Sequence, residues 1–309
     1  MMMVVTGASG LLGASLVLRA RNLGLDVAGL YHCHALQVPG IKMHRVDLVD
    51  DVATRGLLRE LRPEVIIHCA AATNVDWCEA HPRETEKLNV RSASLLAEIA
   101  SESGARLVYI STDAVFDGRQ GDYSESDEPA PINVYAQSKL AGENAVRELQ
   151  DSALIVRVNI YGWNAQEKLS LGEWFLQQLA MEERVPGFTD VTFCPMLVND
   201  LADVLLQMLD RRLSGTYHVT GSERISKYEF GRSVAGIFGL DPARVVPVRV
   251  AEVRLKAPRP LDISLNTEKV CRALGIRMPD VEAGLRRFHA LQSEGYPLQL
   301  KSYLVGAAA

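Results

Sequence analysis

The sequence has few of the features that mark nucleic-acid-binding or membrane proteins. Its 309 residues contain 33 lysines and arginines against 38 aspartates and glutamates, and the formal net charge is −5. Without a basic excess or a Lys/Arg-rich tract, the chain has no surface that would neutralise the phosphates of a nucleic acid. No apolar run reaches the roughly 18 residues that a membrane helix needs. We therefore expect neither nucleic acid nor a membrane as a partner.

Cysteine pairs are also missing. The chain has five cysteines, an odd number, without a C-x-x-C pair, at Cys33, Cys69, Cys78, Cys194 and Cys271. This pattern favours reduced, packed thiols over a disulfide framework or a zinc site. The triplet from His32 to His34 has no second ligand cluster, so no metal is predicted. The N-terminal MMMVVTGASG enters a glycine turn at once and leaves no room for a signal segment, so we expect a cytoplasmic protein.

What the first half does contain is an alternation of short β-branched runs with longer segments of helical period. The strands read as continuously apolar, as strands covered on both faces do. The pattern predicts an α/β fold with a Rossmann-type doubly wound parallel sheet. The predicted strands are MMVV, 25–31, 41–46, 64–69, 106–111 and 153–159, and the predicted helices are 11–23, 51–61, 82–103 and 133–149.

The rhythm breaks after Asn159. We predict a dinucleotide-binding domain over 1–160 and a smaller, intertwined C-terminal α/β substrate lobe over 161–309, with a helix at about 199–211 returning to the sheet. Short strands at 191–194, 215–219 and 245–248 are assigned to the lobe.

The stretch VVTGASGLLGASL reads as a strand, a glycine turn and a helix. Gly7 permits the tight turn, Gly10 lets the backbone approach a pyrophosphate, and Gly13 allows close packing of helix on strand. Free amides at the helix N-terminus would face the anion. Because this turn follows the first strand of a βαβ series, the stretch predicts a dinucleotide site.

The end of the second predicted strand bears on cofactor choice. An NAD-selective site would carry an acidic residue there, whereas this chain has Tyr31, His32 and Cys33. Without that acid nothing repels a 2′-phosphate, so we expect NADPH to bind and NADH to be accepted as well. No arginine follows the strand, which predicts a mild preference.

The chemistry is predicted from two further stretches, STD at 111–113 and YAQSKLAGE at 135–143. A strand end in such a sheet faces the ligand crevice, so Thr112 should point there. Tyr135 would donate a proton to a ketone oxygen that Thr112 holds, and Lys139, one turn away, would bring the tyrosine pKa toward the working range and grip the nicotinamide ribose. The alternatives are a turn-capping role for Thr112 and a solvated surface pair for Tyr135 and Lys139.

The glycine spacing G-x-x-G-x-x-G resembles that of extended short-chain dehydrogenases/reductases. The stretches TNVDWCE, STDAVFDG, YSESDEPAPINVYAQSKLAGE, CPMLVNDLADVL and RPLDISLNTEKV together resemble the dTDP-4-dehydrorhamnose reductase family over nearly the whole chain. The resemblance implies NAD(P)H-dependent reduction of the 4-keto group of a nucleotide-linked deoxysugar. It also implies a nucleotide-sugar substrate and makes a homodimer an oligomeric state to test.

The same resemblance assigns residue roles. Asp47 looks like the family's adenine contact, with a helix N-cap region as the alternative. Asn89 is expected to hold a kink or a water beside Lys139, with a solvent-facing position as the alternative. The cofactor set implied is Gly7, Ser9, Gly10, Leu11, Leu12, Asp47, Leu48, Cys69, Ala70, Ala71, Asn89, Tyr135 and Lys139, and the substrate set is Thr73, Val75, Asp113, Trp163, Asn164 and Arg259.

Three other functions make different demands on the sequence. A 4,6-dehydratase would need a glutamate where Ala114 stands, because a methyl group moves no proton. A 4-epimerase remains open. The segment RVNIYGWN resembles the regulatory β subunit of methionine adenosyltransferase, which leaves an NADP-binding regulatory protein as the second hypothesis. Ala114 and Ile160 replace aromatic residues common in the reductases, so the identity of the sugar stays open.

Overall fold

The computed structural model describes residues 1–181 and 184–305. The predicted substrate lobe includes positions 182–183 and 306–309, which lie outside the described residues. The strands are β1 Met3–Thr6, β2 Val27–Tyr31, β3 Lys42–Arg45, β4 Val65–His68, β5 Arg106–Thr112, β6 Leu154–Val158, β7 Ile160–Tyr161, β8 Val185–Phe188, β9 Thr192–Phe193, β10 Met196–Leu197, β11 Gly215–His218, β12 Ile225–Ser226 and β13 Val245–Val248.

The helices follow the same chain order. They are α1 Leu11–Asn22, α2 Asp51–Leu61, α3 Val75–Ala80, α4 Pro82–Glu86, α5 Ser92–Ser103, α6 Val134–Leu149, α7 Leu171–Met181, α8 Val198–Asp210, α9 Lys227–Ile237, α10 Glu268–Leu274, α11 Val281–Ser293 and α12 Tyr296–Ser302. None of these helices, which lie in the described part of the chain, is long and apolar enough to cross a membrane.

The centre of the fold is a seven-stranded parallel sheet in the order β11-β6-β5-β4-β1-β2-β3. Its strands alternate their side chains between two apolar layers: Met3 and Val5 pack with α1 and α8, whereas Val4 packs with α5 on the opposite face. The predicted Rossmann-type α/β fold is confirmed.

Two differences from the sequence prediction concern element boundaries. The predicted helix 82–103 is divided into α4, a π-helical turn at Lys87–Arg91, and α5, and a short helix, α3, precedes it. The segment 215–219, assigned to the lobe, instead forms β11, the edge strand beside β6. Its local sequence does not indicate which sheet it joins, because it pairs with β6, a strand about 60 residues earlier in the chain.

The remaining C-terminal residues form two-stranded pairs, β7 with β10, β8 with β13 and β9 with β12, together with helices α7 and α9–α12. Aromatic side chains fill the space between them, and the Trp163 and Phe288 rings stack at 4.2 Å. One apolar core runs from β1 and α1 through α8 into this region. The lobe therefore shares its core with the sheet.

Helix α6 lies unusually close to strand β5. A Cβ atom added at Gly142 would come within 2.2 Å of the Tyr109 hydroxyl and 2.9 Å of the Asn89 carbonyl oxygen. Both neighbours are buried, so neither can move aside cheaply. The absence of a side chain at this position sets the depth at which the helix sits.

We predict that Gly142→Ala lowers the free energy of unfolding by about 2 kcal/mol, because overpacking forces α6 away from β5. Urea denaturation measures this. The matched control is Gly56→Ala in α2, where an added Cβ meets nothing within 4 Å; there we expect a gain of roughly 0.5–1 kcal/mol. Equal effects at the two positions would contradict the close-packing argument.

Candidate active site

A cleft of about 600 Å³ opens at the carboxyl ends of β1, β4 and β5. This volume lies within the usual range for a ligand site, at the edge where sheets of this kind bind ligands. Most residues predicted from the sequence line it, namely Gly7, Ser9, Gly10, Leu11, Leu12, Leu48, Cys69, Ala70, Ala71, Thr73, Thr112, Asp113, Tyr135, Lys139 and Asn164. Asp47, Asn89, Val75, Trp163 and Arg259 do not.

The glycine turn has the shape that a dinucleotide requires. Gly7 has a φ of +60°, and a Cβ there would lie 2.7 Å from the backbone nitrogen of Ala70. Helix α1 begins behind Gly10 with no side-chain cap and no acidic residue in its first turn. Its first amides are therefore free to bind an anion. These features fit a pyrophosphate laid across the turn.

An arginine stands where the sequence indicated none. Strand β3 pairs with β2 so that Arg45 lies opposite Tyr31, and the Arg45 Nε donates a 3.2 Å hydrogen bond to the carbonyl oxygen of His32. The expectation of no arginine at the β2 end is wrong because a neighbouring strand, not the next residues, supplies it. A guanidinium here favours a 2′-phosphate.

Asp47 lies in an adjoining pocket of about 560 Å³ that shares His32 and Val46 with the cleft. Its carboxylate accepts a 3.1 Å hydrogen bond from the Val49 amide. The residue that caps α2 is Asp50, so Asp47 forms a local turn just before that cap. Its contact with adenine stays a prediction.

Tyr135 and Thr112 face each other across the cleft floor. Burial raises the pKa of Tyr135 well above its ordinary value, although the neighbouring Thr112 hydroxyl acts in the opposite direction. The Thr112 hydroxyl also accepts from the Ala114 amide at 3.2 Å and donates to Asp113 at 3.0 Å. The turn-capping alternative for Thr112 is therefore present in the structure, together with its position beside the tyrosine.

Lys139 is buried, with 3% of its surface exposed. Its Nζ donates a 2.7 Å hydrogen bond to the carbonyl oxygen of Ile110 and lies 4.0 Å from the centre of the Tyr109 ring. Burial lowers the pKa of Lys139 to about 7, against the opposing charge of Glu143. A solvated surface pair is thus excluded.

The predicted effect of Lys139 on Tyr135 does not appear in the structure. The influences on the Tyr135 pKa are burial, then the Thr112 hydrogen bond, then the charges of Asp113 and Cys78. Burial dominates because both side chains lie in the same dry floor, where it penalises a phenolate and an ammonium alike. The tyrosine is therefore held as a protonated acid.

Asp113 is a second acid on the cleft floor. Asn159 donates a hydrogen bond of 2.5 Å to its carboxylate. Burial nevertheless raises the pKa of Asp113 to about 6, with the Asn159 and Thr112 hydrogen bonds opposing the shift. Asn159 itself was not predicted as a site residue; its only signal was its position directly after β6, at the carboxyl end of a sheet strand.

Asn89 lies behind the cleft in the π-helical turn, 1% exposed. Its side chain accepts from the Ala72 amide at 2.7 Å and donates to the Ala72 carbonyl and the Ser138 hydroxyl, at 3.1 and 2.9 Å. The solvent-facing alternative is wrong. The amide ties the loop after β4 to the helix that carries Tyr135 and Lys139.

Three of the predicted substrate residues lie outside the cleft lining. Trp163 is a core residue, with its ring nitrogen donating to the Phe288 carbonyl at 3.0 Å. Val75 is the first residue of α3. Arg259 forms a 3.0 Å ion pair with Asp76. The motif that contains Trp163 does not specify the direction of its side chain, and the turn after β7 directs that side chain into the core.

The loop that contains the predicted Asn164 crosses the cleft through two residues that the sequence did not indicate. Gln166 donates a 2.8 Å hydrogen bond to the Ser9 carbonyl in the glycine turn, and Lys168 donates to the Thr73 hydroxyl. This loop joins β7 to α7 and brings the C-terminal part of the chain onto the glycine turn. In the described part of the chain, no cluster of three His, Cys, Asp or Glu side chains is arranged to hold a metal ion.

Comparison with known proteins gives matches over nearly the whole chain. The family model described as "RmlD substrate binding domain" matches residues 1–293. A crystal structure of dTDP-4-dehydrorhamnose reductase from Bacillus anthracis in complex with NADP superposes with a TM-score of 0.84 at 30% identity, covering 94% of this chain and 98% of that one.

Two curated relatives point to different roles. The probable low-salt glycan biosynthesis reductase Agl14 of Haloferax volcanii is 35% identical over 94% of this chain and 98% of its own length. The β subunit of methionine adenosyltransferase 2 from Rattus norvegicus is 32% identical over 88% of this chain and 82% of its own. A glycan biosynthesis reductase and a methionine adenosyltransferase subunit thus both resemble this sequence.

We predict that Arg45→Ala weakens NADPH binding roughly tenfold, the size expected for one lost hydrogen bond to a charged group, and leaves NADH binding unchanged. Fluorescence titration with the two nucleotides measures this. The control is Arg59→Ala, which removes an exposed arginine from α2. A parallel loss of NADPH and NADH affinity in Arg45→Ala would rule out a 2′-phosphate contact.

Proposed function

The chain belongs to the RmlD substrate binding domain family, and from that premise we propose that it reduces the 4-keto group of a nucleotide-linked deoxysugar. It is an NAD(P)-dependent oxidoreductase, as are the dTDP-4-dehydrorhamnose reductases it resembles. NADPH is its cofactor, and we propose that NADH is accepted as a second nucleotide. What we propose beyond the family is the substrate, a keto-sugar nucleotide.

The observation that carries the proposal is that Tyr135 and Thr112 line the floor of the same cleft, where burial raises the pKa of Tyr135 and so favours the protonated phenol. When bound, the reduced nicotinamide supplies the hydride. Reduction of a ketone also needs a proton for the developing alkoxide, and a half-buried phenol that stays protonated is a suitable donor. Tyr135 gives that proton to the carbonyl oxygen, and the Thr112 hydroxyl lies beside the same atom to hold it.

The glycine turn and the lysine would hold the cofactor. The free amides at the start of α1 fit the pyrophosphate, and Lys139 has ammonium protons beyond the one that it donates to Ile110. Asp47 and Leu48 would contact the adenosine half of the cofactor. Cys69, Ala70 and Ala71, which form the turn after β4, would lie against the cofactor as well. We propose these contacts for the whole cofactor set predicted above.

The other end of the cleft would take the sugar. Ile160 lines it with an aliphatic side chain, and Asp113, Asn159 and Asn164 offer polar contacts. Ala114 provides no second carboxylate, which disfavours elimination. Arg259, paired with Asp76 outside the cleft lining, is proposed as a diphosphate contact only if that ion pair opens. Residues 161–309, apart from α8 and β11, would close over the substrate.

A second function is favoured by the similarity to the methionine adenosyltransferase β subunit. In that case the same cleft would bind NADP while the protein regulates a partner enzyme. A 4-epimerase is a third candidate within the same fold. The three differ in a simple observable: net oxidation of NADPH by a keto-sugar nucleotide is expected of the reductase alone.

We predict that the protein oxidises NADPH when supplied with dTDP-4-keto-6-deoxyglucose. Tyr135→Phe should reduce the rate at least a hundredfold, because it removes the proton donor and leaves the ring in place. The measurement is the ultraviolet absorbance of reduced nicotinamide. NADPH affinity, followed by fluorescence, should stay nearly unchanged in the variant.

Tyr123→Phe serves as the matched control, since Tyr123 lies away from the cleft and bonds to Asp117. Wild-type protein that binds NADPH but turns over no keto-sugar nucleotide in a panel of dTDP, GDP and UDP sugars would defeat the reductase proposal. That outcome would favour the regulatory function.

A further inference from the structure

Behind the catalytic helix lies a carboxylate with no exposed surface. Glu143 is 0% exposed and stands one turn beyond Lys139 on α6. It accepts hydrogen bonds from the Ser111 hydroxyl at 2.6 Å and from Arg157 at 2.9 and 2.8 Å. Arg147, on the same helix, adds a bond of 2.6 Å. A buried charge needs such partners, and here every one of them is in place.

The partners come from different elements. Ser111 is on β5 and Arg157 is on β6, where the guanidinium is 2% exposed and lies 3.3 Å from His218 of β11. The one carboxylate therefore ties α6 to two central strands, and through Arg157 to the edge strand. This fixes the rotation of the helix that presents Tyr135 and Lys139 to the cleft.

Four titratable groups within residues 1–181 and 184–305 act on Lys139 or contact it. They are His68 and Cys69 at the end of β4, Tyr109 from β5, and Glu143 from its own helix. Burial lowers the pKa of His68 to about 3 and raises that of Cys69 to about 12, and it raises the pKa of Tyr109 as well. These three are uncharged at neutral pH.

Glu143 is then the one member of this set that carries a charge at neutral pH. Burial alone would raise its pKa, but the hydrogen bonds and charge of Arg157 outweigh burial and keep the carboxylate ionised. Residues four apart on a helix lie on the same face, so Glu143 and Lys139 share one face of α6, and the negative charge raises the pKa of Lys139 without a direct ion pair between the two side chains.

We propose that Glu143 is a positioning residue that supplies the negative charge which holds Lys139 as an ammonium ion and fixes α6 against β5 and β6. The inference rests on the proposed function, in which Lys139 binds the cofactor. It goes beyond that function by assigning a task to a residue that touches neither cofactor nor substrate.

The sign of the effect follows from the geometry. Burial lowers the pKa of Lys139 to about 7, and the Glu143 charge acts in the opposite direction. Removal of that charge lowers the pKa further, so Lys139 loses its proton at a more acidic pH. Cofactor affinity that depends on the ammonium is then lost earlier as the pH rises.

The test is an NMR titration of isotopically labelled lysine side chains in the full chain, with Lys139→Met to assign the signal. Glu143→Gln should move the Lys139 transition to lower pH by about one unit. NADPH affinity on the alkaline side of the transition should fall about tenfold. Ser111→Ala is the matched control, because it removes one hydrogen bond to the carboxylate and leaves the charge; its transition should not move.

Should Glu143→Gln fail to fold because Arg157 is left unpaired, the double variant Glu143→Gln with Arg157→Met removes both buried charges. Its Lys139 transition should still move to lower pH, by less than in the single variant, because the neighbouring positive charge of Arg157 is lost as well. Glu143→Asp should restore a transition near that of the wild type. An unmoved transition in a folded variant without the carboxylate, or an equal shift in Ser111→Ala, would overturn the proposal. The lysine signal is read without cofactor or substrate, so failure here is distinct from failure to bind NADPH or to reduce a sugar.

Discussion

The interaction on which the site depends is the buried ion pair between Glu143 and Arg157, with guanidinium nitrogens 2.9 and 2.8 Å from the carboxylate oxygens. It holds α6 on β5 and β6 at the depth that Gly142 permits. Strand β5 ends in Thr112 and Tyr135 is the second residue of α6, so the relative placement of these two elements sets the distance between the two hydroxyls. An ion pair far from solvent is rigid because neither partner can leave without stranding the other.

Burial at the floor of the cleft shifts the pKa values of the two catalytic candidates, Tyr135 and Lys139, in opposite directions. Burial raises the pKa of Tyr135 and lowers that of Lys139, since in each case it disfavours the charged form. A phenol that remains an acid suits reduction of a ketone, whereas a lysine near neutrality needs help to remain a cation. The Glu143 charge raises the pKa of Lys139, whereas no cation among the described residues lowers that of Tyr135. This difference is consistent with a proton donor and a cationic cofactor contact side by side.

Prediction from the sequence succeeded where the determinants are local and failed where a distant segment supplies them. The glycine turn, the strand ends and the spacing of Tyr135 and Lys139 predicted residues that the structure brings together around one cleft, while their roles stay predictions. Arg45 was missed because strand pairing, not chain order, carries it to the end of β2. Trp163 was expected near the sugar and instead packs on Phe288, because a motif names a residue but not the direction of its side chain.

The sequence by itself determined the alternation of strands and helices, the anion-binding turn and the residue types at the strand ends, because each of these depends on neighbours a few positions away. Only the tertiary structure decided which strand became the seventh of the sheet, that Asn89 and Glu143 are buried, and which protonation states the floor of the cleft favours. Burial and long-range pairing are properties of the whole chain: the free energy of a charge depends on what surrounds it in space, and the order of residues does not state that directly.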